Sequence, residues 1–346
     1  AYDSASHHFP KKIHEGRASD GALCVKCHMA ERPYMVVDWR ADHSLRLPRP
    51  DLEAAIGAPN ACSQAGGHGD KPLSWVLESY RKWYGTASKP HYGTILAAGR
   101  ERRPEALEPL AGLAGDALYP AIVRSTALTL LAGYPGDQTV ALIKRALQDE
   151  DPLVRYTAID SLPPGTPEEL VDLVAPLLFD PVRAVRLEAA MELTRAPAEL
   201  LKPYQREAFE RELAGYQRAM AYSLDFAFAG FNLGNVAVNQ GRVGEAEGYY
   251  RAALRVDDLF YPAKSNLALL LNGQGRNEEA EALLREILEA YPEQHVVAYS
   301  LALLLVEMGR APVALPFLSR AAEGLPRSSR VHYIHGLLLQ SLGRAE

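Results

Sequence analysis

The chain lacks any apolar run of about 18 residues, so nothing in it reads as a membrane-spanning helix. It also lacks an excess of positive charge: 37 Lys and Arg against 43 Asp and Glu leave a formal charge of −6, which excludes the basic footprint of a nucleic-acid binder. No signal peptide opens the sequence, and the first residue is Ala1 rather than Met; the expectation is a processed chain or a part of a longer one. Cysteine is scarce, with three in 346 residues, and no βαβ pattern surrounds them, which weighs against a thioredoxin-like redox pair. What remains is ordinary for a soluble globular protein: 48% hydrophobic, 23% charged, and long enough for two or three domains.

Scarcity is joined by concentration. The cysteines are residues 24, 27 and 62, and seven of the ten histidines (7, 8, 14, 28, 43, 68 and 91) fall in the first 91 residues. The chemistry is therefore in the N-terminal quarter. Its centre is Cys24-Val25-Lys26-Cys27-His28, a CxxCH that reads as a covalent c-type haem attachment site. Two cysteines three apart lie within about one helical turn, so their sulfurs reach two vinyl groups on one porphyrin edge, and the following histidine falls beneath the ring as an iron ligand. The competing reading is zinc, with Cys24, Cys27, Cys62 and His68 as a Cys3His set. Zinc does not need a histidine directly after the second cysteine, whereas haem does.

Residues 1–70 show almost no sustained period. Pro10, Pro33, Pro48, Pro50 and Pro59 interrupt it, and Tyr34-Met35-Val36-Val37 is the only short apolar run expected to form a strand. So long an irregular segment needs an organiser other than secondary structure. A buried porphyrin supplies more apolar surface than a single metal ion. From Asp70, a capping residue ahead of Pro72, the positions Leu73, Val76, Leu77, Tyr80 and Tyr84 predict a helix over 72–84 that stops at Gly85. Trp75 and Trp83 widen its apolar face, either as core or against a haem.

Beyond about residue 90 the chain repeats. Val123-Arg124, Val154-Arg155 and Val185-Arg186 recur every 31 residues, with Ala127, Ala158 and Ala189 and Leu131, Leu162 and Leu193 keeping the same step. Asp151-Pro152 and Asp180-Pro181 precede two of these helices as cap and first-turn proline. After a helical connector at 203–224, Gly241-Arg242, Gly275-Arg276, Gly309-Arg310 and Gly343-Arg344 stand 34 residues apart, the tetratricopeptide (TPR) length. Small residues recur as Gly234, Ala268, Ala302 and Gly336 and as Ala246, Ala280 and Ala314, with Leu233, Leu267 and Leu301 beside them. Each such helix pair buries its face on its neighbours. The expected architecture is mainly α: an irregular haem-organised domain at 1–90, HEAT-like repeats at 91–202, and the connector with TPR repeats at 203–346, the last incomplete. Asn232 and Asn266, at equivalent positions, are candidates to hydrogen-bond an extended partner peptide.

The run His7-His8-Phe9, Cys24-Val25-Lys26-Cys27-His28-Met29, Tyr34-Met35-Val36-Val37-Asp38, Asp42-His43-Ser44, Pro48-Arg49-Pro50-Asp51 and Pro59-Asn60-Ala61-Cys62 resembles the C-terminal haem region of large multihaem c-type cytochromes. In that family the haem region runs into HEAT-like and then TPR repeats, and its members are periplasmic or extracellular electron-transfer proteins. The resemblance implies haem c at Cys24 and Cys27 with His28 as ligand. The family pattern would place a second CxxCH after Pro-Asn-Ala-Cys; here Cys62 is followed by Ser63-Gln64-Ala65-Gly66-Gly67-His68, so a second haem would hang on one thioether at Cys62 with His68 as ligand. Candidates for the other axial position are His43, His7, His8, His14 and His91, with Met29 and Met35 as thioether alternatives; Asp42 stands beside His43 to orient its imidazole, while His7 and His8 suit a haem attached upstream. The implied function is electron transfer with a repeat solenoid that docks partners: other haem proteins, a protein on the TPR groove, or further copies in an oligomer or filament. An open-iron haem oxidoreductase and a zinc-stabilised repeat adaptor remain the alternatives.

Overall fold

The computed structural model describes residues 13–14, 17–18, 25, 28–29, 31–35, 37–43, 45, 47–63, 68–85 and 89–344. Among them are 17 α-helices and four short strands, and no described helix is long and apolar enough to cross a membrane. The chain divides into two compact units, Ala1–Pro163 and Pro164–Glu346.

The first unit begins with two antiparallel hairpins: β1 (Ile13–His14) with β2 (Arg17–Ala18), and β3 (Glu31–Tyr34) with β4 (Asp38–Ala41). Of the apolar run expected to be a strand, Tyr34 ends β3, while Met35 and Val37 lie in the turn of the second hairpin. Tyr34 pairs with Asp38, Pro33 with Trp39 and Glu31 with Ala41, and Met35 takes φ +48° to turn the chain. Next comes α1 (Pro50–Ile56), which the sequence pattern hides because its prolines look like breakers. Pro50 sits in the first turn, where no amide is needed, and Gly57 closes the helix at φ +66° with its N–H donating to the Glu53 carbonyl. Helix α2 (Leu73–Tyr84) follows. Asp70 does not cap it: its carboxylate pairs with Lys71, 3.1 Å away, and Pro72 itself occupies the cap position. Among the described residues before position 90, few apolar side chains are buried, namely Pro50, Leu52, Ala61 and Val76.

The same unit continues through α3 (Tyr92–Arg100), α4 (Leu107–Gly115), α5 (Ala121–Leu131), α6 (Asp137–Ala146) and α7 (Pro152–Asp160). The 31-residue motif is a core motif: Val123, Ala127 and Leu131, and their counterparts Val154, Ala158 and Leu162, are all buried. Asp151 caps α7 through a 2.8 Å hydrogen bond from the Leu153 amide. The repeated arginine serves the preceding turn. Arg155 donates to the Asp149 and Glu150 carbonyls at 2.7 and 2.9 Å, satisfying acceptors that would otherwise be stranded near the core.

The second unit comprises α8 (Pro167–Val174), α9 (Arg183–Leu193), the connector α10 (Pro203–Tyr222) and the pairs α11 (Ala227–Asn239) with α12 (Val243–Val256), α13 (Tyr261–Gly273) with α14 (Asn277–Ala290), and α15 (His295–Glu307) with α16 (Ala311–Gly324), then α17 (Ser329–Ser341). Val185, Ala189 and Leu193 are buried on α9. Pro181 lies ahead of this helix rather than in its first turn, yet Asp180 still accepts from the Val182 amide at 2.8 Å. Arg186 donates to the Asp180 and Pro181 carbonyls, as Arg155 does one period earlier.

The 34-residue motif is a turn motif. Gly241, Gly275, Gly309 and Gly343 have φ between +65° and +76°, where a side chain is strained. The arginine after each donates its amide to a carbonyl five residues back: Arg242 to Ala237, Arg276 to Leu271, Arg310 to Leu305 and Arg344 to Leu339, all at 2.8–2.9 Å. This closes the first helix and redirects the chain into the second. Ala246, Ala280 and Ala314 are fully buried where the helices cross. The arginine side chains then tie neighbouring repeats together, Arg276 to Glu247 at 2.8 Å and Arg310 to Glu281. Burial pushes Glu281 up, but hydrogen bonds from Arg285 and Arg310 outweigh it and hold the carboxyl below its ordinary value.

Candidate functional site

Cys24, Cys27, His7 and His8 lie outside the described residues, and His14 is described only in its backbone, as part of β1. Around the CxxCH, Val25 and His28 are helical and the Met29 amide donates to the Val25 carbonyl at 2.8 Å. That is the i to i−4 bond of one α-turn. Two residues after Met29 the chain enters β3. The β3–β4 register then returns it, with Ala41 opposite Glu31. His28 and His43 flank this hairpin, three residues before β3 and two residues after β4.

The two faces of that hairpin differ. On one, Arg40 hydrogen-bonds Asp38 at 2.8 Å and lies over the Tyr34 ring at 4.2 Å, so its charges are spent internally. The other carries Pro33 and Trp39, with Ala41 and Glu31 at its open end, and the bend adds Met35 and Val37. Trp39 is 65% exposed and Val37 89%, so among the described residues nothing covers either.

Cys62 and His68 are adjacent despite the five residues between them, because the His68 amide donates to the Cys62 carbonyl at 2.9 Å. Asn60 ties Cys62 back to α1. Its side-chain oxygen accepts from the Cys62 amide at 2.8 Å, and its amide nitrogen donates to Glu53 on α1, a local Asx turn. The His68 ring meets Trp75 of α2 edge-on at 5.1 Å between centroids. His91 caps α3 through its Nδ1, which accepts from the Gly93 amide at 3.0 Å, with the Tyr92 ring 4.3 Å away. Among the described residues no three His, Cys, Asp or Glu side chains converge as a metal group.

In the TPR array, Asn266 donates to Asn235 at 2.9 Å and the Tyr250 hydroxyl donates to the same oxygen at 2.8 Å. Asn232 contacts the Met220 sulfur at 3.7 Å. These amides therefore have partners inside the array. What the first helices expose instead is apolar: Val238 on α11, Leu269 on α13, Val306 on α15 and Leu337 on α17. Val238 and Val306, like Leu269 and Leu337, are two periods apart, a signal that the 34-residue step could have disclosed. In the first unit, a cavity of about 330 Å³ opens beside α4, α5 and α6. The paired charges of Arg124 and Asp149 line it, and they neutralise each other.

Profiles of known families agree with both periods. A HEAT-repeat profile matches residues 116–194, and two tetratricopeptide-repeat profiles match 231–295 and 271–338. The chain carries HEAT and TPR repeats. Among solved structures it is similar to MamA of AMB-1, at 16% identity over 51% of this chain and 88% of that one with a TM-score of 0.32. A thermophilic TPR protein of Thermus thermophilus is 17% identical over 72% of this chain and 100% of that one, with a TM-score of 0.37. No curated protein matches the chain. Stacked TPR helices present an extended surface suited to protein partners, so interaction or assembly is the role of the repeats.

Proposed function

We infer that the chain is an electron-transfer module of the c-type cytochrome kind whose HEAT and TPR repeats dock protein partners. Cys24 and Cys27 would hold one haem through thioethers, with His28 and His43 as the imidazoles offered to its iron. The observation that supports the reading is the hairpin register, which sets Ala41, two residues before His43, opposite Glu31, three residues after His28. The residues present also fit the group: an imidazole pair for the iron, and an apolar hairpin face for the porphyrin. When bound, the haem supplies reversible one-electron chemistry. With both imidazoles, of His28 and His43, ligating it, the iron would be saturated, which favours electron transfer over substrate binding. Asp42 orients the His43 imidazole. A second haem at Cys62, with His68 as ligand, is supported by the backbone bond that holds these residues together. Covalent haem attachment takes place outside the cytoplasm, so residence is periplasmic or extracellular.

The test is an absorption spectrum of the chain matured with haem, before and after denaturation and acetone extraction. Haem that stays with the protein and a low-spin spectrum are expected. In the His43→Ala variant the spectrum turns partly high-spin with attachment intact. Free haem in the extract, or stoichiometric zinc in its place, overturns the reading.

A further inference from the structure

The β3–β4 hairpin is amphipathic in a way that its own chain does not use. Its polar face is closed by Arg40, Asp38 and Tyr34, while Trp39 and the bend residues Met35 and Val37 are exposed. A two-stranded ribbon is marginal in water, and bare apolar surface of this kind marks a contact. Chain length decides with what. Glu31 is three residues from His28, at most about 11 Å away when fully extended, and Pro33, which pairs with Trp39, is five residues away, at most about 18 Å. Any group carried on Cys27 and His28 therefore lies within reach of this face.

Resting on the haem reading above, we propose that the β3–β4 hairpin is the cover of that haem, with the Trp39 face and the Val37 bend laid on the porphyrin and His43 delivered by the end of the same hairpin. Trp39 and Val37 are positioning residues: they exclude water from the ring and hold the strand that presents the distal histidine. A dry apolar shell raises the cost of the charged iron state and slows access of small reagents.

The experiment uses the full chain with haem attached and compares wild type with Trp39→Ala, Val37→Asp and, on the opposite face, Tyr34→Ala. Haem content by pyridine haemochrome, midpoint potential, and the rate of reduction by dithionite are measured. The expected result is unchanged haem content in all three. Trp39→Ala and Val37→Asp then show a lower potential and several-fold faster reduction, and Tyr34→Ala shows neither. Val37 is almost wholly exposed, so its substitution leaves the polypeptide fold intact and keeps the test informative if Trp39→Ala expresses poorly. Fully loaded variants with wild-type potential and rate would overturn the cover. So would a change confined to sedimentation, which would mean that the face meets a second copy. A chain that takes up no haem at all instead sinks the function proposed above, and the two failures are distinguished by the haem content alone.

Discussion

Gly234 and Gly336 occupy the same place in their repeats, and the same substitution at each should act with opposite sign. A Cβ on Gly234 would lie 2.4 Å from Cε1 and 2.6 Å from Cδ1 of Tyr250, where ordinary contact begins near 3.4 Å. Tyr250 cannot swing aside, since it is 1% exposed and its hydroxyl donates to Asn235. Overpacking of this kind costs about 1–3 kcal/mol, against a helix-propensity gain of about 1 kcal/mol from replacing glycine. Gly234→Ala should therefore destabilise by up to about 2 kcal/mol. Around Gly336 nothing lies within 4 Å of the added atom, so Gly336→Ala keeps the propensity gain and stabilises by about 0.5–1 kcal/mol. For a unit of this size each kcal/mol moves Tm by about 2–4 °C. Thermal unfolding followed by far-ultraviolet circular dichroism, with urea titration as a second measure, should show the two variants on opposite sides of wild type. If both rise together, Tyr250 yields without cost and the account of why a small residue recurs at this position fails.

Three further outcomes follow from the packing. Burial works against ionised Asp149, but the Arg124 hydrogen bonds and the Asp151 amide outweigh it and hold its carboxyl below the ordinary value. Its contribution is thus present above the unfolded pKa of about 4 and lost as pH falls through the lower folded one. Asp149→Asn should start less stable at pH 7 and show a flatter loss below pH 4 in a Tm-against-pH series; slopes parallel to wild type would refute this. Leu301→Ala empties a fully buried position of α15 and should cost about 2–5 kcal/mol, read as a lower urea midpoint. Gly275→Ala places a side chain at φ +76° and should cost about 1 kcal/mol in the same assay, even though no atom lies in its way.

The repeats were legible because their cause is local and periodic. A left-handed glycine followed by arginine closes each first helix of the 34-residue repeats, and small or branched residues at constant spacing are buried in both repeat types, so the 31- and 34-residue steps are geometry written out in order. The CxxCH and the crowd of histidines were equally plain, since a short motif is carried by adjacent residues. Before residue 70, proline was misleading. It starts α1 at Pro50 as readily as it breaks other patterns, and the apolar run that begins at Tyr34, where β3 ends, turns at Met35, which adopts positive φ.

Pairing across distance is what residue order alone did not contain. Only the hairpin register set Ala41 opposite Glu31, and only a backbone hydrogen bond set His68 beside Cys62 across a five-residue gap. His91, a candidate ligand in the sequence, caps a helix through its Nδ1, and Asn266, a candidate for partner contact, was taken up by Asn235. The physical reason is common to all four: a side chain's role depends on which donors and acceptors the backbone brings within about 3 Å, and that is settled by tertiary contacts.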